Sequence, residues 1–298
     1  MTDQQRQTEA AGAYRGIDTW PDARILDAFT EAQERAIAAV RRAAPDISRA
    51  ATVLAERLSR GGRLVYAGAG TSIRIAVQDG SELPATFGMA EDRLAYLIAG
   101  GRAAMFETLA EAEDDEADGA AQAEICTEAD VLVAVAASGS TPFTVAAARR
   151  ARANGAFVIS VVNNPGSKLS AAADLEILLD SGPEVIAGST RMAAGTAQKA
   201  ALNMLSSLAH IKLGAVHDGY MVNVETGNSK LKRRAAGLVA AISGAALDRA
   251  EAALDAAQGQ VKPAVLLCAG AQDIAAARDL LAAAHGNLRM AMSRLANA

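Results

Sequence analysis

Two glutamates and three clusters of small hydroxyl residues carry the chemistry this sequence can be expected to perform. Glu82 lies in DGSELPATFG, directly before a proline-containing turn, and Glu113 lies in the acidic run EAEDDE at 111–116. Two carboxylates flanking a bound molecule suit general acid–base work, one taking a proton and the other giving one, when burial raises at least one pKa. The 111–116 run is also what a solvated helix face looks like, and spacing alone does not choose. The hydroxyl clusters are Gly68-Ala69-Gly70-Thr71-Ser72, Ser138-Gly139-Ser140-Thr141 and Gly188-Ser189-Thr190-Arg191. Each places hydroxyls where unpaired backbone N–H groups and a helix dipole would attract an anion, although Ser and Thr also serve as ordinary N-caps. The first cluster is neither a dinucleotide fingerprint, since GAGTSI lacks the third glycine, nor a P-loop, since no GK[ST] follows. His210, His217 and His285 are scattered without metal-ligand spacing, and helix packing, a loop hydrogen bond and a helix C-terminus account for them.

Such loops need strands to present them. Five short apolar runs read as buried strands: RLVYAGAG (63–70), LAYLIAG (94–100), VLVAVAAS (131–138), AFVISVVN (156–163) and LEILLD (175–180). They are mostly separated by stretches of helical composition, so the expected class is α/β, a five-stranded parallel sheet sandwiched by helices. Ala23–Leu58 carries helical spacing interrupted near Pro45, which predicts two N-terminal helices. Residues 189–213 predict one long helix stopped by Gly214, with the third hydroxyl cluster opening it. Glu82 is expected on a loop between the first two strands, and Glu113 on the helix after the second. Beyond 234, Gly244, Gly259, Gly270 and Gly286 break short Ala- and Leu-rich helices. The expected division is an N-terminal helical segment at 1–59, a ligand-binding domain at 60–234 and a small C-terminal helical domain at 235–298.

Composition narrows the partners. The 298 residues hold 29 Lys plus Arg against 34 Asp plus Glu, a formal charge of −5, which gives no basic footprint for nucleic acid or anionic lipid. Half of the chain is hydrophobic, 51% by count, which suffices for a real core. Cys126 and Cys268 are far apart with no CxxC spacing, so neither a disulfide framework nor a structural zinc is indicated. No apolar run reaches the length of a membrane span, and MTDQQRQTEA has no apolar leader core, so a cytoplasmic setting is expected.

Several stretches together carry a resemblance. GRLVYAGAGTSIRIAVQDGSELPATFG (62–88), AEDDE (112–116), AASGSTPF (136–143), NNPGS (163–167), GSTRMAAGTAQKAALNMLS (188–206) and GNSKLKRR (227–234) resemble, in order, the bacterial N-acetylmuramic acid 6-phosphate etherases. The resemblance covers about 60–290 and implies the sugar-isomerase (SIS) fold with a small C-terminal helical domain. It implies a lyase that removes D-lactate from N-acetylmuramic acid 6-phosphate and leaves N-acetylglucosamine 6-phosphate, in cell-wall sugar recycling, with no metal or organic cofactor. Glu82 matches the glutamate proposed as general acid, and Glu113 the second catalytic glutamate, the C2 base. Gly70, Thr71, Ser72, Ser138, Gly139, Ser140, Thr141, Ser189 and Thr190 would hold phosphate and sugar. Asn228 and Lys230 match a family segment that could complete the pocket. The chain has GTSIRI and GSELPAT where the family usually shows GTSGRL and ASECPPT, so Ile73, Leu83 and Ala85 depart from it. A homodimer is expected, because SIS proteins pair and the Ala-rich helices allow close approach. An aldose–ketose isomerase and a non-catalytic sugar-phosphate regulator are the competing readings.

Overall fold

The computed structural model describes residues 7–10, 14–107, 109–224 and 226–297. Packing divides the chain into two compact units, residues 1–81 with 92–207, and residues 82–91 with 208–298. By packing, residues 208–234 group with the C-terminal helices, upstream of the boundary expected at 235.

In the first unit, α1 (Asp22–Arg42) and α2 (Ala44–Ser59) are the two expected N-terminal helices. The break falls at Ala43 rather than at Pro45, which sits in the first turn of α2 where its missing N–H costs nothing. The sheet follows with β1 (Leu64–Gly68), then α3 (Gly70–Ser81), and, after the segment that packs with the second unit, β2 (Leu94–Ile98). The segment between α3 and β2 holds α4 (Leu83–Phe87), and after β2 a 3-10 turn at Ala110–Asp114 leads into α5 (Glu116–Gln122). Then come β3 (Val131–Ala136), α6 (Pro142–Ala153), β4 (Phe157–Val162), α7 (Lys168–Ala172), β5 (Leu175–Leu178) and α8 (Ala193–Lys212), whose residues from Leu208 onward group with the second unit.

All five strands are parallel, in the order β2-β1-β3-β4-β5. Alternate side chains of a strand face opposite ways, so burial on both faces requires apolar residues throughout. Val65, Ala67, Leu132, Ala134 and Val158 pack with Phe143, Ala147, Ala151 and Leu169 in one core layer. Their neighbours Leu64, Tyr66, Val131, Val133 and Ile159 are equally inaccessible. Tyr66 buries its hydroxyl by donating to Asp79 at 2.6 Å, and Asp79 also accepts from Ser206 at 3.0 Å. The chain leaves β1 toward β2 on one side and returns to β3 on the other. The order therefore reverses between β1 and β3, and a crevice opens at their carboxyl ends.

The second unit holds α4, a hairpin of β6 (Val216–His217) and β7 (Tyr220–Met221), and five helices. These are α9 (Ser229–Ser243), α10 (Leu247–Ala256), α11 (Val261–Cys268), α12 (Ile274–Ala283) and α13 (Leu288–Ala296), separated at the four expected glycines. Ala235, Val239, Leu254, Val265, Leu266 and Leu288 form its core. Both cysteines are free and buried, and among the described residues no helix is long and apolar enough to cross a membrane.

Candidate active site

A cavity of ≈ 460 Å³ sits at the β1/β3 reversal, lined by Ala69–Ser72, Val135–Ser138, Ser140–Pro142, Gly188, Thr190, Glu113, Asp114 and Glu9. All of these belong to the first unit. Register explains why the first two hydroxyl loops meet: Gly68 pairs with Val135, so the chains leaving β1 and β3 emerge side by side.

Gly70 opens α3 at φ +50°, and the first N–H groups of a helix have no intrahelical acceptor. Thr71 and Ser72 add their hydroxyls there. In the second loop the N–H of Ser140 donates to Ser138 Oγ at 3.2 Å, and Thr141 stands at the N-cap of α6 without using its side chain as a cap. Gly139 does not line the cavity; it shapes the loop. At φ +65°, its added Cβ would lie 2.3 Å from Ser167 Cβ, while its N–H donates to Ala136 O and its carbonyl accepts from Leu169.

The third loop corrects the expectation. Ser189 and Thr190 do not open the long helix, because α8 begins at Ala193. Nor are its first amides free for an anion. The N–H groups of Ala193 and Ala194 donate to the Glu184 carboxylate at 3.0 and 2.9 Å, and that of Gly195 donates to Thr190 O at 2.9 Å. Glu184 is fully buried, and burial pushes its carboxyl up against the pull of these two amides and of Arg35. The first two loops thus supply the helix starts that open on the cavity, Thr190 contributes only its side of the wall, and Ser189 is outside the lining.

Glu113 also departs from expectation, since it lies in the 3-10 turn at 110–114 rather than on a regular helix. Its Oε1 stands 3.0 Å from where a Cβ on Gly70 would be, so the carboxylate overhangs the mouth of the first loop and a side chain at position 70 would displace it. Loss of hydration against the cavity wall raises its pKa, the charge of Asp114 raises it further, and the Arg74 guanidinium opposes both. Arg74 is anchored by donating to Ala104 O at 2.8 Å and Glu107 O at 2.9 Å.

Glu82, Asn228 and Lys230 belong to the second unit. Glu82 is exposed at the N-cap of α4 and makes no side-chain cap, so its carboxylate is not spent on the helix. Asn228 caps α9, accepting the N–H of Leu231 at 2.9 Å, and Lys230 is exposed in the first turn of that helix. Ile73 and Leu83, where the chain departs from the resemblance, are both buried, at 0% and 2% exposure, and neither lines the cavity. A larger cavity, ≈ 630 Å³, lies within the second unit between Val222–Val224, Thr226 and Gly227 on one side and Gln258–Pro263 on the other; its described lining contains neither a carboxylate nor any residue expected in the site. Among the described residues no group of three His, Cys, Asp or Glu is placed to hold a metal.

Sequence reasoning missed Glu184 and Glu9. Glu184 lies nine residues before the helix it caps, too far for any local capping pattern. Glu9 sits in the polar N-terminal stretch, which shows no period.

A parallel sheet in this order with hydroxyl loops at its reversal is the architecture of the sugar-phosphate-binding SIS proteins. Residues 46–151 match the glucokinase regulatory protein N-terminal SIS domain, and residues 103–208 match the SIS domain. A crystal structure of a Bacteroides fragilis protein assigned as a phosphosugar isomerase superposes with TM-score 0.50 at 20% identity, covering 68% of this chain and 98% of its own, a likeness of fold alone. Curated relatives are more specific. The N-acetylmuramic acid 6-phosphate etherase of Deinococcus radiodurans is 46% identical over 280 residues, 92% of each chain. That of Streptomyces coelicolor is 42% identical over 295 residues, 97% of this chain and 95% of its own. The chain belongs to the N-acetylmuramic acid 6-phosphate etherase family.

Proposed function

We propose that the protein cleaves the D-lactyl ether of N-acetylmuramic acid 6-phosphate, giving N-acetylglucosamine 6-phosphate and D-lactate. The observation that carries the site assignment is Glu113, a carboxyl of raised pKa overhanging the Gly70 loop of a cavity built from hydroxyls and helix-start amides. The phosphate lies against residues 70–72 and against Ser138, Ser140 and Thr141. In the open-chain sugar the C1 aldehyde acidifies the C2 proton, and Glu113 removes it. The electron pair becomes the C2–C3 double bond as the C3–oxygen bond breaks, and lactate leaves with a proton from an acid, a role the resemblance gives to Glu82. Water then adds across the double bond, its hydroxyl at C3 and its proton at C2. A raised pKa makes the Glu113 carboxylate a stronger base toward this proton.

Two copies of the chain pair in this reading, and the enzyme works in the cytoplasm, where sugar phosphates are handled. Leu26 and Ile37 support pairing: they are 64% and 47% exposed and eleven residues apart on α1, hence on one face. Sedimentation that gives only monomer at micromolar concentration refutes the dimer. The activity is tested by incubating the protein with N-acetylmuramic acid 6-phosphate and measuring lactate and N-acetylglucosamine 6-phosphate together. Equal release by the wild type, lost in Glu113→Gln and in Glu82→Gln, is the expected result. Sugar-phosphate binding without any lactate identifies a regulator instead.

A further inference from the structure

The N-terminal segment enters the cavity from far away in sequence, and its placement is over-determined. Thr8 is 1% exposed. Its carbonyl accepts the N–H of Gly188 at 2.9 Å, at the start of the third loop. Asn164, itself 3% exposed, ties the same segment to the second loop. Its Oδ1 accepts the N–H of Gln7 at 3.0 Å, and its Nδ2 donates to Thr8 Oγ1 at 3.1 Å and to Ala137 O at 2.9 Å. Residues 7–9 are thus pinned between the 137–141 and 188–190 loops, and the next side chain, Glu9, lines the cavity. Its Oε2 lies 2.8 Å from where a Cβ on Gly188 would be, so only glycine at 188 leaves room for the carboxylate. Among the described residues no hydrogen bond or ion pair engages that carboxylate.

We propose that Glu9 is a specificity-determining residue that accepts hydrogen bonds from the hydroxyl or amide N–H groups of the bound sugar. Hydroxyls and amides have donors to offer a carboxylate, whereas a phosphate dianion has none and is repelled by it. Glu9 therefore sorts the ends of the ligand: it turns the phosphate toward the amides at 70–72 and the 138–141 loop, and receives the sugar body. The ligand class rests on the sugar-phosphate reading of this cavity.

Glu9→Ala and Glu9→Gln test it. Calorimetry compares the Kd of N-acetylglucosamine 6-phosphate with that of inorganic phosphate, and lactate release gives KM and kcat. Loss of one charge-assisted hydrogen bond predicts that Glu9→Ala weakens the sugar phosphate by about 10- to 100-fold. KM rises with it, while inorganic phosphate binds at least as tightly as to wild type because a repelling charge is gone. Glu9→Gln, which keeps an acceptor oxygen, recovers part of the sugar affinity. Equal weakening of both ligands makes the segment mere scaffolding and overturns the proposal, as does no change in either. If wild type releases no lactate but the Kd values split as described, the etherase reading fails and the role of Glu9 stands. If wild type releases lactate and the split is absent, Glu9 fails alone.

Discussion

Replacing Glu184 is the sharpest test of how the third loop is held. Its two carboxylate oxygens satisfy the first two amides of α8 at 3.0 and 2.9 Å, entirely out of water. Glu184→Ala strands both N–H groups in a buried place, each at about 1–3 kcal/mol, and removes a negative charge from a helix N-terminus. Against this stands the cost of burying the carboxyl, which its raised pKa reports and which the alanine relieves. The balance is a loss of about 3 kcal/mol. Glu184→Gln keeps one acceptor oxygen but turns an NH2 toward the second amide, so a loss of about 1–2 kcal/mol follows. Urea denaturation read by circular dichroism measures both, with each unit's transition fitted separately if they part. The sign with pH is fixed as well. A folded pKa above the unfolded 4.5 makes the wild-type contribution full below that value and progressively lost as pH rises through the folded one. The wild-type advantage over Gln therefore widens on acidification. A Glu184→Ala protein within 0.5 kcal/mol of wild type, by the same criterion used for neutral surface changes, refutes the capping argument.

Three further outcomes are expected. Gly139→Ala must place a Cβ 2.3 Å from Ser167 at a positive φ, so the 138–141 loop shifts; KM for the sugar phosphate rises and stability falls by at least about 1–2 kcal/mol, checked by kinetics and denaturation. Arg74→Met removes the cation that holds the Glu113 pKa down, so the acid limb of the kcat/KM profile moves to higher pH, whereas Arg74→Lys leaves it nearer wild type. Burial pushes Lys262 down to about 8, its ammonium donating to Gly286 O at 2.8 Å. Because the unfolded chain holds that proton up to about 10.5, wild-type stability rises between pH 8 and 10.5, and Lys262→Met abolishes the rise in pH-dependent melting.

All five strands were legible as mostly apolar runs: β1 and β3, buried at every position, are apolar throughout, while β4 admits Ser160 and the half-buried edge strand β5 admits Glu176. The C-terminal helices were legible because Gly244, Gly259, Gly270 and Gly286 fall in the breaks between them. The strand order was not, since every run is nearly as apolar as the next and nothing local says which one is central. The two loops that follow β1 and β3 were legible as strand-to-helix loops because Ser, Thr and Gly concentrate there, and the structure brings both to one cavity. The third read as a helix start because its hydroxyls look like N-caps; the cap is Glu184, placed by tertiary structure. Glu113 read as part of an acidic helix because its neighbours share its charge, while the structure places it in a 3-10 turn with its carboxylate against Gly70, a contact distant in sequence. Glu9 was invisible for the same reason: Asn164, in the NNPGS stretch, fixes its segment through a bond to Thr8, 156 residues away in sequence.

Running the reaction in deuterium oxide and, separately, in oxygen-18 water tests the central claim most directly. Elimination started by a carboxylate at C2 predicts N-acetylglucosamine 6-phosphate carrying solvent deuterium at C2 and the oxygen-18 at C3, with unlabelled lactate, and loss of C2 exchange in Glu113→Gln. Oxygen-18 in the lactate, or product that keeps its original C2 hydrogen, contradicts the account.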